Sequence, residues 1–283
     1  MRSILCLLLL GAGMLFILPG AHAEKPSLEC PTQKGDPQVR KYSGYSLRLA
    51  QLSGRGNRCQ ALLTAPGAKA PKKVARDWAL SINEISGTDI NGDEKPDLVV
   101  QGYSGGAHCC YTYWIVGLTQ GLPLIREIRN QVPVIFTTRD DGRVELHTGD
   151  GVFDYFLVPH ANAVIPQLFL RLEGDKLVDL GPEHLADYDR AIEKARSQLS
   201  AEELEKIRKS KYSEGMLFDQ LLTVQKVMTI VLNYLYSGRE EEAWHSLDQM
   251  WPESDRDRVK KLILERRSRG FITQMGQKPK VGS

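Results

Sequence analysis

Oxygen-bearing side chains alternate within one short polar segment of this chain, residues 89–98. Asp89, Asn91, Asp93 and Asp97 stand at positions 1, 3, 5 and 9 of that segment. A large hard cation requires such donors, since Ca²⁺ takes about 6–8 oxygen ligands at roughly 2.3–2.6 Å and tolerates irregular geometry. The spacing therefore predicts a calcium site in a tight loop. A turn rich in Asp and Asn that binds no metal is the alternative.

The residues that follow the first ligands separate the known types of calcium loop. An EF-hand requires glycine at position 6 and a bidentate glutamate at position 12. This chain has Glu94 and Val100 at those positions. After Asp97 comes Leu-Val-Val-Gln-Gly, a run that predicts a strand and not an exiting helix. The EF-hand interpretation is therefore excluded.

The pattern Asp-x-Asn-Gly-Asp-x-x-x-Asp-Leu before a strand resembles the calcium loops of FG-GAP and VCBS-type repeats, which build integrin-α-like β-propellers and many exported bacterial proteins. The resemblance covers about residues 84–102. Glu94 departs from the family's usual glycine, and a left-handed backbone there would cost roughly 1 kcal/mol. The resemblance implies four side-chain ligands and one backbone-carbonyl ligand: Asp89, Asn91, Asp93 and Asp97, then Lys95.

A second, degenerate copy of the repeat lies near residues 137–146. We expect it to be metal-free, because a guanidinium at its third position supplies positive charge in place of an ion. Two units cannot close a propeller of typically about four to eight blades. The sequence thus predicts either a truncated, propeller-derived sheet or a compact sandwich. Aligning Asp97 with Glu145 gives the equivalents Thr137 at position 1, Arg139 at 3, Asp141 at 5 and Gly142 at 6.

The N-terminus carries the three parts of a secretory signal peptide. Arg2 precedes an apolar run over residues 4–18, and Ala21 and Ala23 give the small-x-small ending. The apolar run is too short for a spanning helix, although an uncleaved anchor is the alternative. We expect cleavage near Ala23 and export to the periplasm or beyond. Calcium there can fill a site with a Kd on the order of 10⁻⁴–10⁻³ M.

The charge balance limits the classes of partner. Lys and Arg number 37 against 35 Asp and Glu, a formal net charge of +2. No polyanion-binding footprint is present, so we expect no nucleic-acid partner. No second apolar run reaches membrane-spanning length, so no transmembrane segment is expected after signal cleavage. The expected partner is another protein or a component of the cell envelope.

Four cysteines follow the predicted signal peptide: Cys30, Cys59, Cys109 and Cys110. In an exported chain we expect disulfides, with three possible pairings. A bond between neighbouring cysteines would join Cα atoms about 3.8 Å apart, below the usual span of roughly 4.4–6.8 Å. On a strand the neighbours point to opposite faces, which favours the two pairings that link each of them to Cys30 or Cys59. Cys30–Cys59 with a vicinal bond is the third pairing.

The segment over residues 104–110 comes nearest to a catalytic constellation. Gly105 and Gly106 would let a backbone approach a ligand, and His108 stands beside a thiol. Neighbouring side chains on an extended chain diverge, and an exported thiol is expected to be oxidised. We therefore expect a calcium-binding module that binds or scaffolds and does not catalyse. The alternative is an exported hydrolase, or a redox or metal protein, that uses His108, Cys109 and Cys110.

The sequence that must position these residues has two parts with different apolar patterns, and together they predict an α+β fold. Residues 45–180 alternate in short apolar segments, which predicts an antiparallel β domain over 24–181. From Pro182 longer helical stripes predict a helical domain over 182–275, before a disordered tail over 276–283. A capping box at Ser200 and caps at Ser213 and Ser254 are expected. The expected strands are 46–52, 59–64, 78–85, 98–102, 111–117, 144–147, 154–158 and 167–172.

Overall fold

The computed structural model describes residues 28–30, 38–52, 58–106, 109–210 and 220–275. Within these ranges the chain is α+β, as predicted, with antiparallel sheets followed by helices. The predicted signal peptide, the predicted cap at Ser213, His108 and the predicted tail lie outside the described residues.

The strands of the described ranges form three antiparallel sheets, and each sheet pairs four consecutive strands in chain order. The first sheet contains β2 to β5, the central sheet β6 to β9, and the third sheet β10 to β13, while β1 joins the central sheet beside β6. The strands are β1 Leu28–Glu29, β2 Gln38–Tyr42, β3 Tyr45–Leu52, β4 Arg58–Thr64, β5 Lys72–Asp77, β6 Ala79–Ile82, β7 Asp97–Gly106, β8 Cys109–Gly117, β9 Leu124–Asn130, β10 Ile135–Thr138, β11 Val144–Gly149, β12 Gln167–Glu173 and β13 Lys176–Asp179.

The central sheet is buried on both faces, because alternate residues of its strands enter different cores. Val99 of β7 and Ile115 of β8 are cross-strand partners and belong to the core shared with the third sheet and the helices. Leu98 and Val100 point the other way, into the core shared with the first sheet. This is the period-2 alternation of a strand that is covered on both sides. The sheets therefore stack in the order first, central, third.

The helices continue this stack beyond the third sheet. They are α1 Leu185–Ser197, α2 Ala201–Lys209, α3 Leu221–Tyr236, α4 Glu240–Met250, α5 Arg256–Arg267 and α6 Ile272–Met275. Helix α3 lies at the centre, with Val227, Ile230 and Val231 fully buried in the core that also contains Leu170 of β12. The described helices include none that is long and apolar enough to cross a membrane.

The capping box at the start of α2 is present as predicted. The Glu203 N–H donates to Ser200 Oγ at 3.1 Å, and the Ser200 N–H donates to Glu203 Oε2 at 2.8 Å. The cap predicted at Ser254 is wrong. A 3-10 turn over Glu253–Asp255 precedes α5, and the carboxylate of Asp255 accepts from the indole N–H of Trp251 at 2.8 Å. Asp255 therefore stands at the helix start.

The strand predicted over 154–158 is also wrong. Phe153 closes a 3-10 turn, and the chain then bends, with Tyr155 and Leu157 in the left-handed region at φ 54° and 59°. Phe153 and Phe156 are buried together, with ring centroids 5.4 Å apart and the rings edge to face. Their spacing of three places both on one side of a turn, whereas the alternation of apolar residues in the sequence imitates a strand.

The disulfide pairings favoured from strand geometry are wrong. Cys30 is bonded to Cys59, with Cα atoms 6.2 Å apart. The cause is the sheet order: β1 lies beside β6, and the Cys30 N–H donates to Leu80 O at 2.9 Å, so Cys30 reaches the core where Cys59 is buried. Cys110, near the start of β8, is also disulfide-bonded.

Candidate metal sites

The predicted calcium loop connects β6 to β7 and is anchored to the third sheet. Ile90 is buried in the core that the central and third sheets share. The Gly174 N–H, in the turn between β12 and β13, donates to Asn91 O at 2.9 Å. The loop therefore holds two sheets together.

The backbone of the loop is tightly turned around the carboxylate of Asp89. Gly92 and Glu94 are in the left-handed region, at φ 78° and 63°. Asp89 Oδ1 accepts from the Gly92 N–H at 2.7 Å, and Asp89 Oδ2 accepts from the Glu94 N–H at 2.7 Å. Asp93 Oδ1 accepts from the Lys95 N–H at 3.0 Å. The left-handed backbone that a glycine would favour is thus adopted by Glu94.

Asp97, the first residue of β7, carries the unusual electrostatics of the loop. Its side chain is fully buried; Oδ2 accepts from the Ile90 N–H at 2.8 Å, while Oδ1 has no hydrogen-bond partner. Burial raises the pKa of Asp97 to about 6; the Ile90 and Asn91 N–H groups lower it, and the negative charges of Asp93 and Asp89 raise it further. An orphaned carboxylate oxygen beside two more carboxylates fits a bound cation.

All five predicted calcium ligands lie in this one loop. Asn91 is buried, and its Oδ1 accepts from the Asp93 N–H at 3.3 Å. The donor set contains only oxygens, the atoms that Ca²⁺ prefers. The residues present therefore fit calcium, which would be held by Asp89, Asn91, Asp93, the carbonyl of Lys95 and Asp97.

The degenerate copy forms the hairpin between β10 and β11. Its sixth position, Gly142, has φ 84°, and the Arg139 N–H donates to Arg143 O at 2.8 Å. Arg139 Nε lies 3.5 Å from Glu145 Oε1, where the alignment pairs these residues with Asn91 and Asp97 of the first copy. The guanidinium therefore supplies positive charge at this position, and the absence of metal from this hairpin stays a prediction.

Glu145 also belongs to a second group, which sequence reasoning missed. Glu145 Oε2 lies 3.0 Å from His147 Nε2 and 3.1 Å from His184 Nε2. Each of these three side chains offers one possible metal-ligand atom, and the three atoms lie within 4.8 Å of one another. Glu145 and His147 share a face of β11 because they are two residues apart.

His184 reaches this group from outside the sheet and is held there from two sides. It ends the 3-10 turn Gly181–Glu183 and precedes α1. Its ring stacks on Phe169 of β12, with centroids 4.0 Å apart and an interplanar angle of 2°. Its Nδ1 lies 3.0 Å from Asp187 Oδ2, one turn into α1. The alternation of Glu145 and His147 is visible in the sequence, but the approach of His184 is not.

The electrostatics of the group favour an ionised Glu145. Burial alone would raise the pKa of this carboxyl, but the hydrogen bond from His147 and the charges of His184 and Arg139 together hold its pKa below the ordinary value. A carboxylate that faces two imidazole nitrogens offers a mixed oxygen and nitrogen donor set. Such a set suits a transition metal ion and not Ca²⁺.

The segment considered for thiol chemistry gives no comparable constellation in the part that can be described. Cys110 is in a disulfide and offers no thiol, and its N–H donates to Ser104 Oγ at 2.7 Å. Gly105 has φ 83° and lies against the indole of Trp78. A Cβ at position 105 would stand only 3.0 Å from that ring. Residues 107–108 and the side chain of Cys109 lie outside the described residues.

Comparison of the chain with family models, with curated proteins and with solved structures finds no match. The resemblance to FG-GAP and VCBS-type repeats therefore rests on residues 84–102 and stays a prediction.

Proposed function

We propose that this chain is an exported calcium-binding β-repeat protein that acts as a binding or scaffolding module and is not catalytic. The single observation that carries the proposal is the buried, unpartnered Oδ1 of Asp97. A lone buried carboxylate oxygen costs free energy that a bound divalent cation would offset. The meanders of four consecutive strands add support, since propeller blades are four-stranded sheets.

The ion would serve as structural support within this function. The loop joins the central sheet to the turn between β12 and β13, through Ile90 and the Asn91 carbonyl. A cation at Asp97 would neutralise the carboxylates and hold this connection. The sheets would then present their loops rigidly to another protein or to a component of the cell envelope. Function resides in the surface that the ion keeps in place.

Calcium titration calorimetry on the metal-free mature chain tests the metal proposal. We expect one Ca²⁺ to bind to the wild type and to Asp141→Asn, whereas Asp93→Asn abolishes measurable binding. Asp141 is the matched control, because it occupies the fifth position of the degenerate hairpin and its carboxylate pairs with Arg143. Equal calcium binding by the wild type and Asp93→Asn would show that the loop is a metal-free turn.

Cross-linking in the envelope of the producing cell tests the binding role. We expect defined adducts with the wild type and with Asp141→Asn, and their loss with Asp93→Asn, because the loop that carries Asp93 holds two sheets together. Adducts that persist unchanged in Asp93→Asn would separate partner binding from the calcium loop. Absence of adducts from the wild type would contradict the scaffolding role itself.

A further inference from the structure

We propose that Glu145, His147 and His184 bind a divalent transition metal ion, with Zn²⁺ as the best-suited ion. This site is separate from the calcium loop in position and in chemistry. It replaces one expectation from the sequence, because Glu145 stands at the ninth position of the degenerate copy that the sequence predicts to be metal-free. Ca²⁺ takes oxygen ligands, whereas two imidazoles and a carboxylate form a donor set of zinc sites. The proposal rests on the arrangement of these side chains and is independent of the resemblance to calcium repeats.

The donor atoms are already gathered at a suitable separation. Ligands bound to zinc at about 2.0–2.2 Å in a tetrahedron lie roughly 3.3–3.5 Å from one another. Glu145 Oε2 lies 3.0 Å from His147 Nε2 and 3.1 Å from His184 Nε2. The two separations from the carboxylate oxygen would therefore need to open by a few tenths of an ångström, and all three ligand atoms already lie within 4.8 Å of one another. Such a displacement lies within ordinary side-chain motion.

The surroundings orient the ligands in the way that metal sites require. Asp187 Oδ2 lies 3.0 Å from His184 Nδ1, so Nε2 is the nitrogen that faces Glu145. A carboxylate on the far nitrogen of a histidine is the usual outer partner of a zinc ligand. The stack of His184 on Phe169 fixes the plane of the ring. The ligand orientation thus exists before any ion binds.

Arginines hold the outer oxygens of both carboxylates and leave the inner ones to the histidines. Arg139 lies 3.5 Å from Glu145 Oε1, and Arg190 contacts Asp187 Oδ1. The inner oxygens, Glu145 Oε2 and Asp187 Oδ2, face imidazole nitrogens. If the group served only as an ion pair that links β11 to the start of α1, one histidine beside Glu145 would be enough. The convergence of two imidazoles on one carboxylate oxygen is the feature that points to a metal.

Solvent reaches the group from one side. The side chain of His147 is 31% exposed, whereas those of Glu145 and His184 are 6% and 9% exposed. An ion can enter past His147 without opening the core. Three protein ligands with solvent on the fourth side correspond to zinc sites that keep an open coordination position. The ion would also join the third sheet to the start of the helical segment.

Zinc titration calorimetry on the untagged, metal-free mature chain tests this site, with Ca²⁺ as the comparison ion. We expect one Zn²⁺ per chain. His147→Gln should weaken zinc binding by more than about 100-fold, because it removes a ligand, and Asp187→Asn by about 10–100-fold, because it removes an outer partner. The control His245→Gln changes an exposed histidine that bonds Gln249 and should leave zinc binding unchanged.

Failure of the zinc site is distinguishable from failure of the calcium loop. Asp93→Asn should bind zinc as the wild type does, whatever its calcium affinity. Co²⁺ titration gives a second readout: visible absorption bands of histidine-bound Co²⁺ are expected in the wild type and absent in His147→Gln. Far-UV circular dichroism in chelator confirms that the variants fold. Absence of zinc binding by the wild type, or equal binding by folded His147→Gln, would overturn the proposal.

Discussion

Replacement of Asp97 by asparagine should stabilise the metal-free protein, and calcium should cancel most of that difference. In the metal-free protein at pH 7.5 the buried carboxylate is ionised, although burial and the neighbouring carboxylates raise its pKa to about 6 from the ordinary 3.8. One pKa unit corresponds to about 1.4 kcal/mol, so keeping this group ionised in the fold costs about 3 kcal/mol. Asparagine removes the charge and can still accept from the Ile90 N–H. Metal-free Asp97→Asn should therefore be up to about 3 kcal/mol more stable than the wild type.

The sign of the pH dependence follows from the same carboxyl. The folded state binds the proton more tightly than the unfolded state, so metal-free wild type loses stability as the pH rises from about 4 through about 6. Calcium would bind the ionised form, so we expect its stabilising effect to grow over the same pH range. At a calcium concentration of about 100 times Kd the wild type should gain about 2.7 kcal/mol, and Asp97→Asn should gain little.

Thermal unfolding followed by circular dichroism, in chelator and in calcium, measures both effects. A stability difference of about 3 kcal/mol corresponds to a Tm difference of roughly 6–12 °C for a chain of this size. Asp141→Asn is the control. It should leave the Tm unchanged both in chelator and in calcium, because the exposed carboxylate of Asp141 is not among the predicted calcium ligands. If Asp97→Asn melts below the wild type in chelator at pH 7.5, the carboxylate is not an uncompensated charge and the reasoning is wrong.

Three further predictions concern stability. Asp150→Ala should lower the free energy of unfolding by about 2–4 kcal/mol, measured by urea titration, because it removes the buried acceptor of the Tyr236 hydroxyl at 2.8 Å; an unchanged midpoint would contradict this. The double replacement of Cys30 and Cys59 by serine should cost about 3–4 kcal/mol, since the bond spans 29 residues, and reduction of the wild type should cost at least as much, because it also opens the disulfide of Cys110. Ser200→Ala should lower stability by about 1 kcal/mol through loss of the cap of α2, and a larger loss would mean that the side chain has another role.

The predicted calcium ligands could be placed in one loop from the sequence because they are local. Asp89 to Asp97 span nine positions, and the strand after them excludes an EF-hand. The group at Glu145 could not be predicted in the same way. His184 lies 39 residues beyond Glu145 and meets it only because β11, β12 and β13 pair in order and the following turn folds back over them. A contact between residues so far apart in the chain leaves no local pattern in the sequence.

Strand β5 and the Cys30–Cys59 pairing were not predicted from the sequence, for related reasons. The edge strand β5 reads Lys-Lys-Val-Ala-Arg-Asp, a segment whose charges obscure its alternation. Charged side chains suit an edge strand, since they discourage pairing with other chains. Likewise, the partner of Cys30 depended on where β1 joins the central sheet, and that position is set by tertiary packing. The α+β class and the start of helix α2 at Ser200 followed from local patterns alone.

The order of the layers also limits where a further sheet could stack on those described. In a closed propeller each sheet is covered by the next, whereas here helix α3 occupies the face of the third sheet where a further sheet would stack. At the opposite end, Arg48, Lys73 and Arg76 are exposed on strands of the first sheet. Charged outer layers and capping helices end a stack of repeated units. In the described part of the chain the stack of sheets thus has two different ends, and a further sheet could add to the third sheet only by displacing α3.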